Sequence, residues 1–179
     1  MTLKEVKPYH ITDNAFKLIG KDWMLITSGI PGSFNSMTAS WGGLGVLWEQ
    51  PVAFCFVRPT RYTYEFMERS PKFSLSFFEE RYRKALTFCG SHSGRDTDKI
   101  AGSGLTPRID GTSIYFAEAR LVLLCRKIYF QDISPDCFLD PKTHDLYPQK
   151  DYHRMYVGQI EKCLIKSAAK QKTARPNQR

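Results

Sequence analysis

Hydrophobic and polar positions alternate along much of this chain with the period of two that marks a strand. The clearest case is 72–78, KFSLSFF, where Phe73, Leu75 and Phe77 share one side and Ser74 and Ser76 the other. Residues 23–30 (WMLITSGI) also read as a strand, closed by the turn pair Pro31-Gly32. Residues 51–57 (PVAFCFV) form a short continuous apolar run before Arg58-Pro59, the pattern of a strand buried on both faces. Residues 35–48 lean towards strand but are broken by Gly42, Gly43 and Gly45, which suggests a bulge or a close backbone approach. Further strands are predicted over 113–117, 120–130 and 152–165, the last with Met155, Val157 and Gln159 on one face. Helical spacing is confined to short segments. These are 12–20, opening on a capping Thr-Asp and ending at Gly20; 62–70, stopped by Pro71; 79–89, ending at Gly90; and a turn or helix near 96–101. The proline-rich stretch 132–149 reads as an irregular excursion.

That makes about six or seven strands and three or four short helices, without regular βαβ alternation. The expected fold is mainly β with short helices: an antiparallel barrel with helical insertions. Closure of such a barrel also removes exposed strand edges.

Charge changes the picture at one end only. The chain carries a formal +8, but Lys166, Lys170, Lys172, Arg175 and Arg179 supply five positives with no intervening acid, which leaves +3 for residues 1–165. The expected organisation is one domain over 1–165 and a basic, disordered tail over 166–179. A mildly basic body argues against nucleic acid as a partner. Five scattered cysteines without a C-x-x-C pair argue against a zinc site or a dithiol centre. The N-terminus lacks a signal-peptide core, and the longest apolar run is interrupted by Arg126 and Lys127, so no membrane span is expected. A reducing cytoplasm is the expected location.

The chain has no dinucleotide fingerprint, P-loop, nucleophile elbow or H-E-x-x-H motif, and its four histidines lack metal-ligand spacing. Any catalysis would draw its reactive atoms from a cofactor. Three segments remain. Ser36-Met37-Thr38-Ala39-Ser40-Trp41 offers hydroxyls, small side chains and one large aromatic, suited to the edge of a flat heterocycle; a strand with surface hydroxyls fits equally. Arg58-Pro59-Thr60-Arg61-Tyr62-Thr63 sets two arginines and two hydroxyls at a helix start. There, open N–H groups and guanidinium forks suit a phosphate, although a capped helix with solvated arginines fits too. Residues 89–96, with Ser91, Ser93 and Gly94, followed by Lys99, form either an anion-binding nest or a polar loop.

Taken in order, N-S-M-T-A-S-W-G-G-L-G, P-V-A-F-C-F-V-R-P-T-R-Y-T-Y-E-F, F-C-G-S-H-S-G-R-D-T-D-K and Y-H-R-M-Y-V-G-Q-I resemble the flavin reductase-like, FMN-binding split-barrel family, in its flavoredoxin group. The resemblance runs over 23–165 and implies a six-stranded Greek-key split barrel, a homodimer and one FMN per subunit near the dimer interface. It implies that Thr38, Ala39, Ser40 and Trp41 line the isoalloxazine edge. Arg58, Thr60, Arg61, Tyr62 and Thr63 would hold the ribityl chain and phosphate, and Ser91, Ser93, Gly94 and Lys99 would complete the phosphate cradle. His153, in the last motif, would face the flavin or a nicotinamide, or else serve as a structural histidine. The implied activity passes electrons from NADH or NADPH through FMN to a flavin, metal or protein acceptor; the alternative is an FMN carrier or sensor without turnover.

Overall fold

A computed structural model describes residues 3–166. Its strands are β1 (Leu3–Val6), β2 (Met24–Ile30), β3 (Ser33–Ala39), β4 (Gly42–Leu47), β5 (Gln50–Val57), β6 (Lys72–Phe77), β7 (Pro107–Asp110), β8 (Ser113–Phe116), β9 (Leu121–Asp132) and β10 (Arg154–Lys166). The helices are α1 (Ala15–Gly20), α2 (Tyr62–Arg69), α3 (Arg83–Ser91) and α4 (Lys99–Ser103). Every pairing is antiparallel, in the order β3-β2-β6-β9-β10-β5-β4. The thirteen-residue β10 is the seam of this sheet. One edge of it follows β9, while the other is shared by β5 at Arg154–Gln159 and β1 at Cys163–Lys166. The terminal strands β3 and β4 are consecutive in sequence and do not pair with each other, so the curled sheet stays open between them. This is a mainly β, antiparallel split barrel with more strands than the expected six: seven form the main path, β1 pairs with β10, and β7 and β8 form a separate hairpin, of which β8 matches the strand predicted over 113–117.

Two cores explain the sequence pattern. Inside the barrel lie Met24, Ile26, Phe73, Leu75, Phe77, Leu121, Leu123, Cys125 and Tyr156. On the outer face of β2, β6 and β9, Leu25, Val122 and Leu124 pack against Leu86 and Cys89 of α3 and Phe116 of β8. Residues Leu121–Cys125 therefore form an unbroken buried run, because both faces of β9 are covered. The serine face of β6 is buried as well, and Ser74 donates to the Ile114 carbonyl (2.5 Å).

Several expectations shift. The cap of α1 is Asn14, which accepts from the Lys17 N–H (3.0 Å), and Gly20 lies inside the helix. The 79–89 helix begins with a 3-10 turn at Glu80–Tyr82 and continues through Gly90 to Ser91. Residues 35–48 are two strands broken at Ser40-Trp41, and a Cβ on Gly42 would lie 2.6 Å from the Phe54 carbonyl oxygen. In β5 only Val52, Ala53, Cys55 and Val57 are buried; Phe54 and Phe56 are half-buried, so the strand is not sealed on both faces. In β10 the inward face is Tyr156, Gly158 and Ile160 rather than Met155 and Gln159, with Val157 buried on the other side and a register shift between Val157 and Gly158. Lys166, assigned by sequence to the tail, is the last residue of β10, and its Nζ lies 3.3 Å from Glu79. Residues 167–179 lie outside the described residues.

Gly158 is the tightest point of the seam, since a Cβ there would lie 2.5 Å from the Phe73 ring and 2.7 Å from Cys125. Gly158→Ala is expected to lower the unfolding free energy by about 1–3 kcal/mol through overpacking. Gly20→Ala, which meets no atom within 4 Å, is expected to raise it by roughly 0.5–1 kcal/mol as a helix glycine relieved of its entropy cost. Urea titration of both variants checks the pair.

Candidate functional site

The unpaired edge of β3 is the floor of a cleft, and two side-chain bonds hold its walls. Thr38 donates its hydroxyl to the Leu86 carbonyl of α3 (2.5 Å), and Asn35 donates Nδ2 to Thr63 Oγ1 in the first turn of α2 (2.8 Å). Both helices are thereby bolted to the edge strand. The space between them divides into three lobes that share Thr38 and Arg61. Together they fall within the size range of a small-molecule site.

The first lobe, about 240 Å³, runs past Thr38, Ala39, Ser40 and Trp41 to Phe56, Arg58 and His153. The second, about 160 Å³, lies between Thr60, Arg61, Tyr62 and Thr63 on one side and Gly90, Ser91, Ser93, Gly94 and Lys99 on the other. The third, about 300 Å³, opens beside Ala39, Ser40, Leu86 and Trp23. Every candidate site residue thus borders one continuous cleft, though four distant segments, 38–41, 58–63, 91–99 and His153, contribute them; Ser36 of the first motif is buried and lines none of the lobes. No aspartate or glutamate lines any of the three lobes.

Charge is not spread evenly through the cleft. Arg58 is already engaged: Nη1 lies 2.6 Å from Asp151, Nη2 donates to the Leu146 carbonyl (2.9 Å), and the guanidinium lies 4.9 Å from the Tyr147 ring centroid. Thr60 donates to the same aspartate at 3.4 Å. These contacts hold Arg58 in the first lobe rather than the second. Arg61 has no ion-pair partner among the described residues; its one side-chain bond is to the Gly90 carbonyl (3.3 Å). Lys99 is only 5% exposed and donates to the Cys89 carbonyl (2.8 Å), also without a carboxylate among the described residues. Burial lowers its pKa, and the neighbouring Arg61 charge lowers it further. No side chain caps α2, and its first residues, Tyr62 and Thr63, line the lobe that holds these two cations. Gly94 leaves room there: a Cβ would collide with the Asn35 amide.

His153 is 8% exposed, with Nδ1 2.9 Å from the Tyr147 hydroxyl and its ring 4.9 Å from Trp41. Burial, aided by the Arg58 charge, lowers its pKa to about 4, so the ring is neutral at pH 7. Sequence reasoning missed Asn35, Phe56, Tyr147, Asp151 and Trp23. Tyr147 and Asp151 sit in or just beyond the stretch dismissed as irregular. Trp23 occupies a left-handed backbone position (φ 66°) under the Arg83 guanidinium, 4.2 Å from its ring, a placement no periodicity signals.

The fold is an open antiparallel split barrel whose free edge borders a cleft lined by cations and by no carboxylate among the described residues. The sequence matches the family described as the flavin reductase like domain over residues 17–175. The chain therefore belongs to the flavin reductase-like family. No curated protein matches it by sequence. Among solved structures, it is similar to an FMN-binding domain of a flavin reductase-like enzyme from Shewanella baltica (18% identity, TM-score 0.66, covering 92% of this chain and 77% of that one). It is also similar to a flavoredoxin from Methanosarcina acetivorans (22%, 0.64, 90% and 77%). A third is an NADH:FAD oxidoreductase from Streptomyces globisporus (16%, 0.62, 81% and 75%). At these identities the likeness establishes a shared fold. Among the described residues, no group of three or more metal-ligating side chains occurs and no helix is long and apolar enough to cross a membrane.

The neutral form of His153 belongs to the folded state, so folding excludes a proton that the unfolded chain binds below pH 6.5. Its stability contribution is complete above that pH and is lost as pH falls towards 4. Asp151, held low by the hydrogen bond from Arg58, titrates below this window. Wild-type protein is expected to lose roughly 3 kcal/mol more unfolding free energy than His153→Gln between pH 6.5 and 4. Urea titrations across that range measure the difference.

Proposed function

We propose that the cleft binds FMN non-covalently and that the protein is a flavin reductase or flavoredoxin-like oxidoreductase. The observation that carries this reading is the meeting of Arg61, buried Lys99 and the uncapped start of α2 in a lobe without acids, beside a flat lobe floored by small residues. Two unpaired cations and open N–H groups suit a dianionic phosphate, with Ser91, Ser93, Tyr62, Thr63 and the space left at Gly94 completing its cradle. The free backbone edge of β3 at Thr38, Ala39 and Ser40 can bond the polar rim of a heterocycle, and Trp41 walls it. Arg58 and Thr60, tied to Asp151, would border the ring and the ribityl chain.

When bound, FMN supplies a ring that takes up an electron pair, as hydride, and releases it again. The chain's own task is then to bind, orient and exclude water. Such chemistry needs distance and alignment more than a side-chain acid or base, which agrees with lobes lacking a carboxylate pair. Arg61 and Lys99 would also stabilise negative charge developing in the cleft. NADH or NADPH is the proposed donor, and a second flavin, a metal centre or a protein the acceptor. A second copy of the chain is the proposed partner, supported by exposed Val46, Trp48 and Phe130.

Purified protein mixed with FMN is expected to retain flavin absorbance after gel filtration and to bleach anaerobically on adding NADH or NADPH. Retained flavin that neither nucleotide reduces would favour a carrier; no retained flavin would overturn the proposal. Arg61→Ala is expected to weaken FMN binding by about 1.5–3 kcal/mol, the worth of a charge-assisted bond. Arg69→Ala, whose side chain is 77% exposed, should leave affinity unchanged. Fluorescence titration of FMN compares the two.

A further inference from the structure

The segment between β9 and β10 has a second role beyond anchoring Arg58. It brings Tyr147 to His153, where the phenol oxygen and the imidazole Nδ1 lie 2.9 Å apart. Which atom holds the proton follows from counting donors. Tyr147 is buried, and its hydroxyl has no other partner among the described residues. Were it to accept from Nδ1–H, its own proton would be left unpaired in the interior, a costly arrangement. The hydroxyl therefore donates to Nδ1, and the neutral ring carries its proton on Nε2.

Nε2 makes no hydrogen bond among the described residues, yet it is not one of the fully buried unpartnered atoms, which are Ser76 Oγ and Arg83 Nη1. It is therefore accessible from the first lobe, which His153 lines together with Trp41 and Phe56. Away from Nε2 the ring is packed among aromatic neighbours. Trp41 lies 4.9 Å away, Phe56 meets it edge-on at 6.4 Å, and its backbone carbonyl accepts from Ile133 N–H (3.0 Å). The charged groups nearest it are Arg58, Asp151 and Arg61, of which the first two neutralise each other as an ion pair.

We propose that Tyr147 is a positioning residue: its hydroxyl locks His153 as the Nε2–H tautomer, so that the lobe offers one neutral, directed donor to a carbonyl or amide oxygen on a planar ligand. This rests on the reading that the lobe takes a flavin ring or a nicotinamide, and both carry such an oxygen. A neutral donor suits a carbonyl oxygen, whereas a cationic imidazolium would favour a carboxylate or phosphate in the same place.

Two kinds of measurement test the proposal. In ligand-free protein, long-range ¹⁵N–¹H NMR of the histidine rings, with His153 assigned by its loss in His153→Gln, is expected to show Nε2–H for His153 at pH 7.5. Tyr147→Phe should shift its Nδ1 resonance towards the unbonded value and mix the tautomers. A wild-type Nδ1–H tautomer, or a spectrum unchanged in Tyr147→Phe, would overturn the proposal whether or not the protein binds flavin. In the second arm, a glutamine amide can stand in for Nε2–H and an asparagine amide only for the Nδ1 side. His153→Gln should therefore keep function within about threefold, while His153→Asn loses about tenfold, the worth of one neutral hydrogen bond. If the loss falls on the FMN dissociation constant, the donor serves the flavin carbonyl. If it falls on KM for NADH with FMN affinity intact, it serves the nicotinamide amide. Equal effects of Gln and Asn on both quantities would refute the donor role.

Discussion

The cleft exists because the sheet does not close. β3 and β4 follow each other in sequence but splay apart at Ser40-Trp41, so the outer edge of each lacks a β partner, and that of β3 floors the cleft. An open edge is ordinarily an aggregation hazard. Here α2 and α3 are drawn against it, and the bonds Asn35–Thr63 and Thr38–Leu86 hold them at a spacing that leaves a gap instead of a seal. Without those bolts, the groups on three segments would have no common origin. With them, the backbone edge, a helix start and two cations face the same space.

Electrostatics then differentiates the gap. At one end Asp151 pairs with Arg58, and burial holds His153 as an uncharged ring. At the other end Arg61 and Lys99 are left without acids, and burial weakens the hold of Lys99 on its own proton. A phosphate placed there would restore much of what desolvation costs that ammonium. A single molecule with an anionic tail and a neutral flat head matches this gradient better than two separate ligands would.

How much of this was legible in the sequence follows from the kind of signal each feature leaves. Period-two alternation in residues 72–78 gave β6 and its inward face, and the apolar run after Arg120 gave β9. The three motif segments line the cleft, although each alone fitted an ordinary strand, helix cap or polar loop; it was their order along the chain that pointed to a common site. The misplaced features are those decided by tertiary contact. The inward face of β10 could not be read from hydrophobicity, since Tyr156 and Val157 are both apolar and both buried, and it changes at the register shift between Ile160 and Lys162, after which Cys163 points inward. β1 is too short and too charged to read as a strand and exists because the far half of β10 needs a partner. Tyr147 and Asp151 sat among prolines in a stretch with no period, and their importance comes wholly from what lies across the fold from them.

That last point bears on how such a site is specified. Arg58 and His153 each belong to a recognisable motif, but the direction of each side chain is set by its bond to Asp151 or Tyr147, which belong to none. The irregular segment packs mainly through its own aromatic cluster of Phe138, Tyr147 and Tyr152, none of which belongs to the barrel core. A change of length or sequence there would alter which hydrogen bond the first lobe offers while leaving the anion lobe, held by β3, α2 and α3, untouched. The two ends of the cleft thus rest on different parts of the fold: the second lobe on the bonds that tie α2 and α3 to β3, the first in part on the segment between β9 and β10.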